Sequence, residues 1–242
     1  MPFDRTVFFN HVRESLFHGH MTQQQVDGMN FKMGAYEERV PPKTDLRYIS
    51  YCFATSYHET SATMWPIEEY GKGKGQPYGE PDPTTGLLYY GRGDIQLTWA
   101  DNYKFATSQL ALTGGDDLYL HPERALDATI SARVLMRGMY EGWFRKDGNG
   151  KVQNLPRYFS DTKNDSFGAR EIVNGDKTKV PTWSGGVNIG NLIKGYHVKF
   201  LEAFETSWTE PSPEPVPPTD VPVVTITTTG KVTVILNGEQ IA

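Results

Sequence analysis

Phe8, Val12 and Leu16 or Phe17 recur at three- and four-residue steps within residues 3–17. That is the spacing of one apolar helical face, and it predicts a first amphipathic helix there. His18-Gly19-His20 ends it. Thr22, followed three positions later by Gln25, is the signature of a capping box and opens a second helix carrying Val26, Met29 and Met33. Pro41-Pro42 breaks the chain. Thr44 then suits an N-cap, with Asp45 in the first turn of a third helix, where the dipole favours an anion. Leu46, Ile49 and Phe53 mark one face of that helix, which runs to about Thr60, and Tyr48, Cys52, Thr55 and Glu59 lie on an adjacent face.

The periodicity then stops. Residues 66–88 hold four prolines and five glycines, too many for a regular element, and a loop of that length in a compact domain is usually functional. Helical spacing returns from Asn102 to about Leu112, and again from Pro122 through Leu126, Ile130, Val134 and Leu135 to Met139. Phe167–Val173 and Gly190–Trp208 complete the helical set, the last with Ile193, Tyr196, Phe200 and Phe204. Residues 210–222 contain six prolines and read as a semi-rigid linker. The tail, 223–242, alternates β-branched and polar residues, with Thr229-Gly230-Lys231 as a turn between strands. So short a hairpin has no core of its own, and the main domain of the chain, self-association or a cell-surface ligand would cover it.

The chain has 242 residues, 38% of them hydrophobic, which suffices for one sizeable core. Its net charge of −5 and scattered basic residues offer no footprint for nucleic acid. No apolar run approaches the roughly 18 residues of a membrane span. Met-Pro-Phe-Asp-Arg lacks the basic-then-apolar pattern of a secretory signal, so synthesis without a leader is the expectation. A single cysteine, Cys52, excludes an intramolecular disulfide and a cysteine-rich zinc site, and reads as a small buried apolar residue. His18 and His20 read as a solvated turn, and Asp147-Gly148-Asn149-Gly150 as a tight turn, because Lys151 and a missing glutamate spoil a calcium loop. No metal or other cofactor is expected.

Candidate chemistry concentrates between Tyr57 and Tyr103. Glu59 stands at the C-terminal end of the third helix, where the dipole disfavours a carboxylate; partial burial there would keep it protonated, as a general acid requires. The following loop carries Glu68, Glu69, Glu80 and Asp82, and the segment closes on amides, hydroxyls and aromatic rings. Two acids around a slot lined by such groups are the kit for glycoside hydrolysis.

The motif His58-Glu59-Thr60, followed by Y-Y-G-R-G-D-I-Q-L-T-W-A-D-N-Y at 89–103, resembles the family 19 glycoside hydrolases, plant and bacterial chitinases together with related phage lysins. H-P-E-R-A from 121, A-R-V-L-M-R-G-M-Y-E-G-W-F from 132 and A-R-E-I-V-N-G from 169 agree, so the resemblance spans about 40–205. The phage-lysin branch fits best, through T-M-W-P-I-E-E-Y after the glutamate. The resemblance implies a mostly α-helical, lysozyme-like fold, inversion at the anomeric carbon, and Glu59 as the acid. The base would be Glu69 by the phage-like P-I-x-E spacing, Glu68 by the bacterial spacing or Glu80 by the plant one, and Glu69 is preferred. Gln96, Thr98 and Asn102 match positions that bind sugar or orient the attacking water, and Asn174 a substrate ligand. His58, Tyr90 and Tyr103 join the expected substrate site, with Arg92 holding a carboxylate in ionised form. The implied substrate is a β-1,4 polymer containing N-acetylglucosamine, peptidoglycan in preference to chitin, reached at the bacterial wall after release. A lytic transglycosylase and a non-catalytic carbohydrate-binding protein on the same fold are the alternatives.

Overall fold

Eight consecutive residues of one helix, Ile49 to Ser56, are buried on every side, and the rest of the fold is arranged around them. In this computed structural model the described residues are 3–39 and 45–209, with the strand residues 235, 236, 239 and 240. The central helix is α3 (Leu46–Glu59), preceded by α1 (Arg5–Leu16) and α2 (Gln23–Arg39) and followed by α4 (Ala100–Leu110), α5 (Ala128–Glu141), the short α6 (Leu155–Tyr158) and α7 (Ile189–Ser207). A helix buried all round needs partners on each face. Here α7 packs along α3 and α1, and α5 packs along α2 and touches α3. The centre is aromatic: Phe53 meets Phe200 at 5.4 Å and Phe204 at 5.1 Å between ring centroids, and Phe8 meets Phe204 at 4.6 Å. Phe3–Trp208 forms one compact unit.

The capping box at Thr22 is present in both directions. Thr22 N–H donates to Gln25 Oε1 at 2.8 Å and Gln25 N–H to Thr22 Oγ1 at 3.2 Å, which satisfies two otherwise orphan donors. Met29 and Met33 are buried as expected. Other boundaries move, each for a local reason. Asp45 is itself the N-cap of α3, accepting from Arg47 N–H at 2.9 Å, and Thr44 lies outside the described residues. The span 122–139 is two elements, because the Asp127 side chain accepts from Thr129 and Ile130 N–H and starts α5 afresh after a 3₁₀ turn at Pro122–Leu126. The 167–173 segment is likewise 3₁₀, over Gly168–Ile172. Asp147-Gly148-Asn149-Gly150 is the expected tight turn, with Gly150 N–H on Asp147 O.

The sheets among the described residues are three antiparallel pairs of two-residue strands. β1 (Ile67–Glu68) pairs with β2 (Arg92–Gly93), and β3 (Phe159–Ser160) with β4 (Lys163–Asn164). In the tail, β5 (Ile235–Leu236) pairs with β6 (Glu239–Gln240), whereas the expected turn at 229–231 falls outside the described residues. No helix among the described residues is long and apolar enough to cross a membrane.

Candidate active site

The β1–β2 pair brings the loop after α3 against the Y-G-R-G segment, and this pairing builds the site. Glu69 N–H donates to Gly91 O at 2.8 Å, and Gly91 N–H returns a hydrogen bond to Glu69 Oε2 at 3.1 Å. A Cβ on Gly91 would stand 2.8 Å from Gln96 Oε1, so any larger residue there would displace the Gln96 amide. Arg92 and Leu97 exchange backbone hydrogen bonds and close a tight loop between them, with Gln96 at φ 54°. Gln96 Nε2 pins that loop by donating to Ile67 O and Gly93 O, both at 3.1 Å.

Below the loop lies a fully buried ion pair. Lys32 Nζ, from α2, is 2.6 Å from Asp94 Oδ1, with the two side chains 1% and 0% exposed. Ser56 Oγ and Ser131 Oγ donate to the same carboxylate at 3.0 and 2.8 Å, and Lys32 also donates to Met64 O at 2.8 Å. Burial pulls the Lys32 ammonium below its ordinary pKa, and Asp94 opposes that shift. One loop residue is thereby tied to three helices.

A cleft of about 560 Å³ opens beside this loop, lined by Glu59 and Glu69, by Gln96, Thr98, Trp99 and Asn102, and by Tyr78, Arg145 and Asn174 among others. Its two carboxylates come from different elements, Glu59 from the last residue of α3 and Glu69 from the residue after β1. Tyr78 O–H donates to Glu69 Oε1 at 3.0 Å, so each Glu69 oxygen holds one fixed donor. Thr98 gives its hydroxyl proton to Gln96 O at 2.7 Å and keeps its oxygen lone pairs free. Asn102 Nδ2 donates to Thr98 O at 2.8 Å. Tyr78 and Trp99 meet edge to face at 5.3 Å on the cleft wall, with Trp99 49% exposed and at φ 75°.

Glu59 has a partner that its position on the helix does not reveal. Arg170 Nη1 contacts Glu59 Oε1, and Arg170 Nε donates to Asp176 Oδ1 at 2.6 Å. The guanidinium is 3% exposed and lies between the two carboxylates. The partial burial expected at the helix end is present, with the Glu59 side chain 15% exposed, but a buried cation stands beside the carboxylate. Burial would raise Asp176, but Arg170 outweighs it and holds that carboxyl below its ordinary pKa. Burial would lower Arg170, and the two carboxylates outweigh it in turn.

The remaining expected site residues lie elsewhere. Glu68 accepts from Tyr90 O–H at 2.7 Å and pairs with Lys72 at 3.0 Å. That hydrogen bond and that cation hold its carboxyl below the ordinary range. Arg92 stacks on the Tyr90 ring at 3.6 Å, donates to Leu88 O at 3.0 Å, and comes within 3.8 Å of Glu68 rather than of either cleft acid. Tyr103 is buried and donates to Tyr90 O at 2.7 Å. Tyr90, Arg92 and Tyr103 therefore build the wall behind the loop and do not line the cleft. His58 lines a separate recess with Trp183, and Glu80 is exposed outside the cleft.

Sequence reasoning left out Tyr78, Trp99, Arg145 and Arg170. Trp99 stands between two named positions, and Arg170 belongs to the A-R-E-I-V-N-G stretch, so both were within sight. Tyr78 and Arg145 carried no pattern that separates them from their neighbours.

No family model and no curated protein matches the sequence. Solved structures do. The chain is similar to chitinase C from Streptomyces griseus HUT6037, at 19% identity over 86% of this chain and 78% of that one, with a TM-score of 0.50. It is also similar to a bacterial family 19 chitinase (18% identity, 88% and 98% covered, TM-score 0.46) and to a class IV family 19 chitinase from Zea mays (18%, 86% and 94%, TM-score 0.47). At this identity the likeness to chitinase C shows the fold alone: a mostly helical, lysozyme-like domain.

Proposed function

We propose that the protein is an inverting glycoside hydrolase that cleaves β-1,4 bonds in a polymer containing N-acetylglucosamine. The observation that carries this reading is that Glu59 and Glu69 line one cleft from separate elements, while Glu68 is turned away and already paired. An inverting pair needs room for a water between its carboxyls, roughly 6.5–9.5 Å in general, and acids borne by a helix end and a wrapping loop suit that need.

In this scheme Glu59 gives its proton to the leaving glycosidic oxygen. Arg170 engages Oε1, which leaves Oε2 as the atom for the substrate. Glu69, its two oxygens oriented by Tyr78 and Gly91, takes a proton from the attacking water. Thr98 Oγ1 accepts a hydrogen bond from that water, because its own proton is committed to Gln96. Asn102 and Asn174 present amides to the sugar, and Trp99 presents a ring face.

Peptidoglycan is the preferred substrate. Arg145 puts a guanidinium on the cleft wall, where the lactyl carboxylate of a muramyl residue would meet it, although Glu171 shares its charge through a 2.6 Å contact. Chitin is the second reading, supported by the likeness of fold to chitinase C. Action at the bacterial wall and tethering by the tail belong to the peptidoglycan reading. Reducing-end release from purified peptidoglycan and from chitin, measured side by side, tests the proposal. Glu59→Gln and Glu69→Gln should each abolish activity on whichever polymer is cleaved. If wild-type protein releases no reducing ends from either, the reading fails.

A further inference from the structure

The end of α3 borders a second recess, on the side of His58. Tyr57, His58, Ser61, Ala62, Trp183 and Tyr196 line a pocket of about 330 Å³. Two of its walls belong to the core: Tyr57 packs on Tyr196 at 4.7 Å and donates its hydroxyl proton to Leu16 O at 2.9 Å. Trp183 is different. Its side chain stands 66% exposed, and its ring neighbour among the described residues is His58, at 6.3 Å.

The segment bearing this indole is folded rather than slack. Lys179 N–H donates to Asp176 O, Ile189 N–H to Lys179 O, and Ser184 makes both N–H and Oγ hydrogen bonds to Pro181 O. An ordered turn that holds a tryptophan in water forgoes the burial that most indoles obtain, and at the rim of a recess lined by aromatic and polar side chains alike it offers a flat ring face beside a hydrogen-bonding imidazole.

The recess is joined to the cleft through charge and chain. His58 directly precedes Glu59, and the Asp176–Arg170–Glu59 row ends in the cleft at one side and acts on the imidazole at the other. Burial, the largest influence on His58, lowers its pKa. The neutral ring offers one N–H donor and one lone pair, which together suit a hydroxyl or an amide.

We propose that this recess is an outlying sugar subsite. One ring of the same polymer, further along the strand from the cleaved bond, stacks its apolar face on Trp183 and hydrogen-bonds the His58 imidazole. The inference rests on the glycosidase reading and adds a specificity determinant to it. A strand long enough to reach the recess gains binding that a short one does not.

The test uses β-1,4 N-acetylglucosamine oligosaccharides of increasing length with wild-type, Trp183→Ala and Trp183→Phe protein. Trp183→Ala is expected to lower the ratio of kcat/KM on the longest to that on the shortest substrate about tenfold, through KM, with Trp183→Phe largely restoring it. A ratio that stays at the wild-type value overturns the proposal, whether the variant loses nothing or loses equally at every length. Titration of Glu59→Gln protein with the same oligosaccharides, with and without Trp183→Ala, separates this proposal from the one above. Trp183-dependent binding without any wild-type cleavage keeps the subsite and sinks the hydrolase. Cleavage without Trp183-dependent binding does the reverse.

Discussion

Glu68 and Glu69 are neighbours in sequence and part company at the end of β1: Glu69 lines the cleft, held by Tyr78 and Gly91, while Glu68 is held outside it by Tyr90 and Lys72. Successive side chains of a strand point to opposite faces, so only one of two adjacent acids can serve the cleft. Glu69→Gln is therefore expected to lower kcat by about 10²–10⁴-fold, the usual worth of a general base, whereas Glu68→Gln keeps most of its turnover. Steady-state rates of the two variants on the same soluble substrate check this. An inactive Glu68→Gln beside an active Glu69→Gln would reverse the assignment.

The Lys32–Asp94 pair makes a prediction about stability. Removing one partner of a buried ion pair leaves the other charge uncompensated, at a cost of about 3–5 kcal/mol. Lys32→Met should show a loss of that size in denaturant unfolding. Lys32→Met with Asp94→Asn should lose less than the sum of the single variants, because the two side chains are in contact. Additive losses would mean that the pair is not coupled.

A pH dependence follows from His197. Buried against Tyr51 and Phe159, with Nδ1 3.2 Å from Ser50 Oγ, its imidazole is pushed down to about 4 by burial. The unfolded chain, with an ordinary value near 6.5, binds a proton at a higher pH than the folded one. Stability is thus complete above pH 6.5 and falls as pH drops from there to about 4, by about 3 kcal/mol in total. Asp176, whose folded pKa is depressed, loses its own contribution only at lower pH, as its carboxylate protonates. His197→Gln should flatten the decline in Tm between pH 6.5 and 4. An unchanged slope would show that this histidine is not its source.

Removal of residues 210–242 should leave kcat on soluble oligosaccharides unchanged and Tm within a few degrees, since Phe3–Trp208 is compact without them. The proline-rich segment at 210–222 is the sequence feature that motivates this truncation. Truncated protein that melts far lower would place the tail in the core.

Much of this architecture was legible because local rules decide it. The faces of α1, α2 and α7 follow from apolar spacing, and the Thr22–Gln25 box from a capping pair three residues apart, whereas spacing marks one apolar face on α3 and the fold buries Ile49 to Ser56 on every side. The break at Asp127 was legible too, as an N-cap residue inside an otherwise helical run, but apolar periodicity hid it. The partner of Glu59 was not legible. Arg170 lies 111 positions away, and nothing local to either residue announces the contact. The same holds for Lys32 and Asp94, which meet only when α2 packs beneath the loop. Motif spacing placed Gln96, Thr98 and Asn102 on one short segment. It did not separate residues that face the cleft from Tyr90, Arg92 and Tyr103, which support it from behind.

The account turns on water being delivered by Glu69 to the face of the sugar opposite Glu59, and the configuration of the first product reports this directly. Proton NMR of the anomeric region, recorded in the first minutes of cleavage of a soluble N-acetylglucosamine oligosaccharide or of soluble peptidoglycan strands, should show the α-anomer appearing first and mutarotating later. A β-anomer appearing first would mean retention, and an anhydro-sugar end a transglycosylase; either would contradict the paired roles of Glu59 and Glu69.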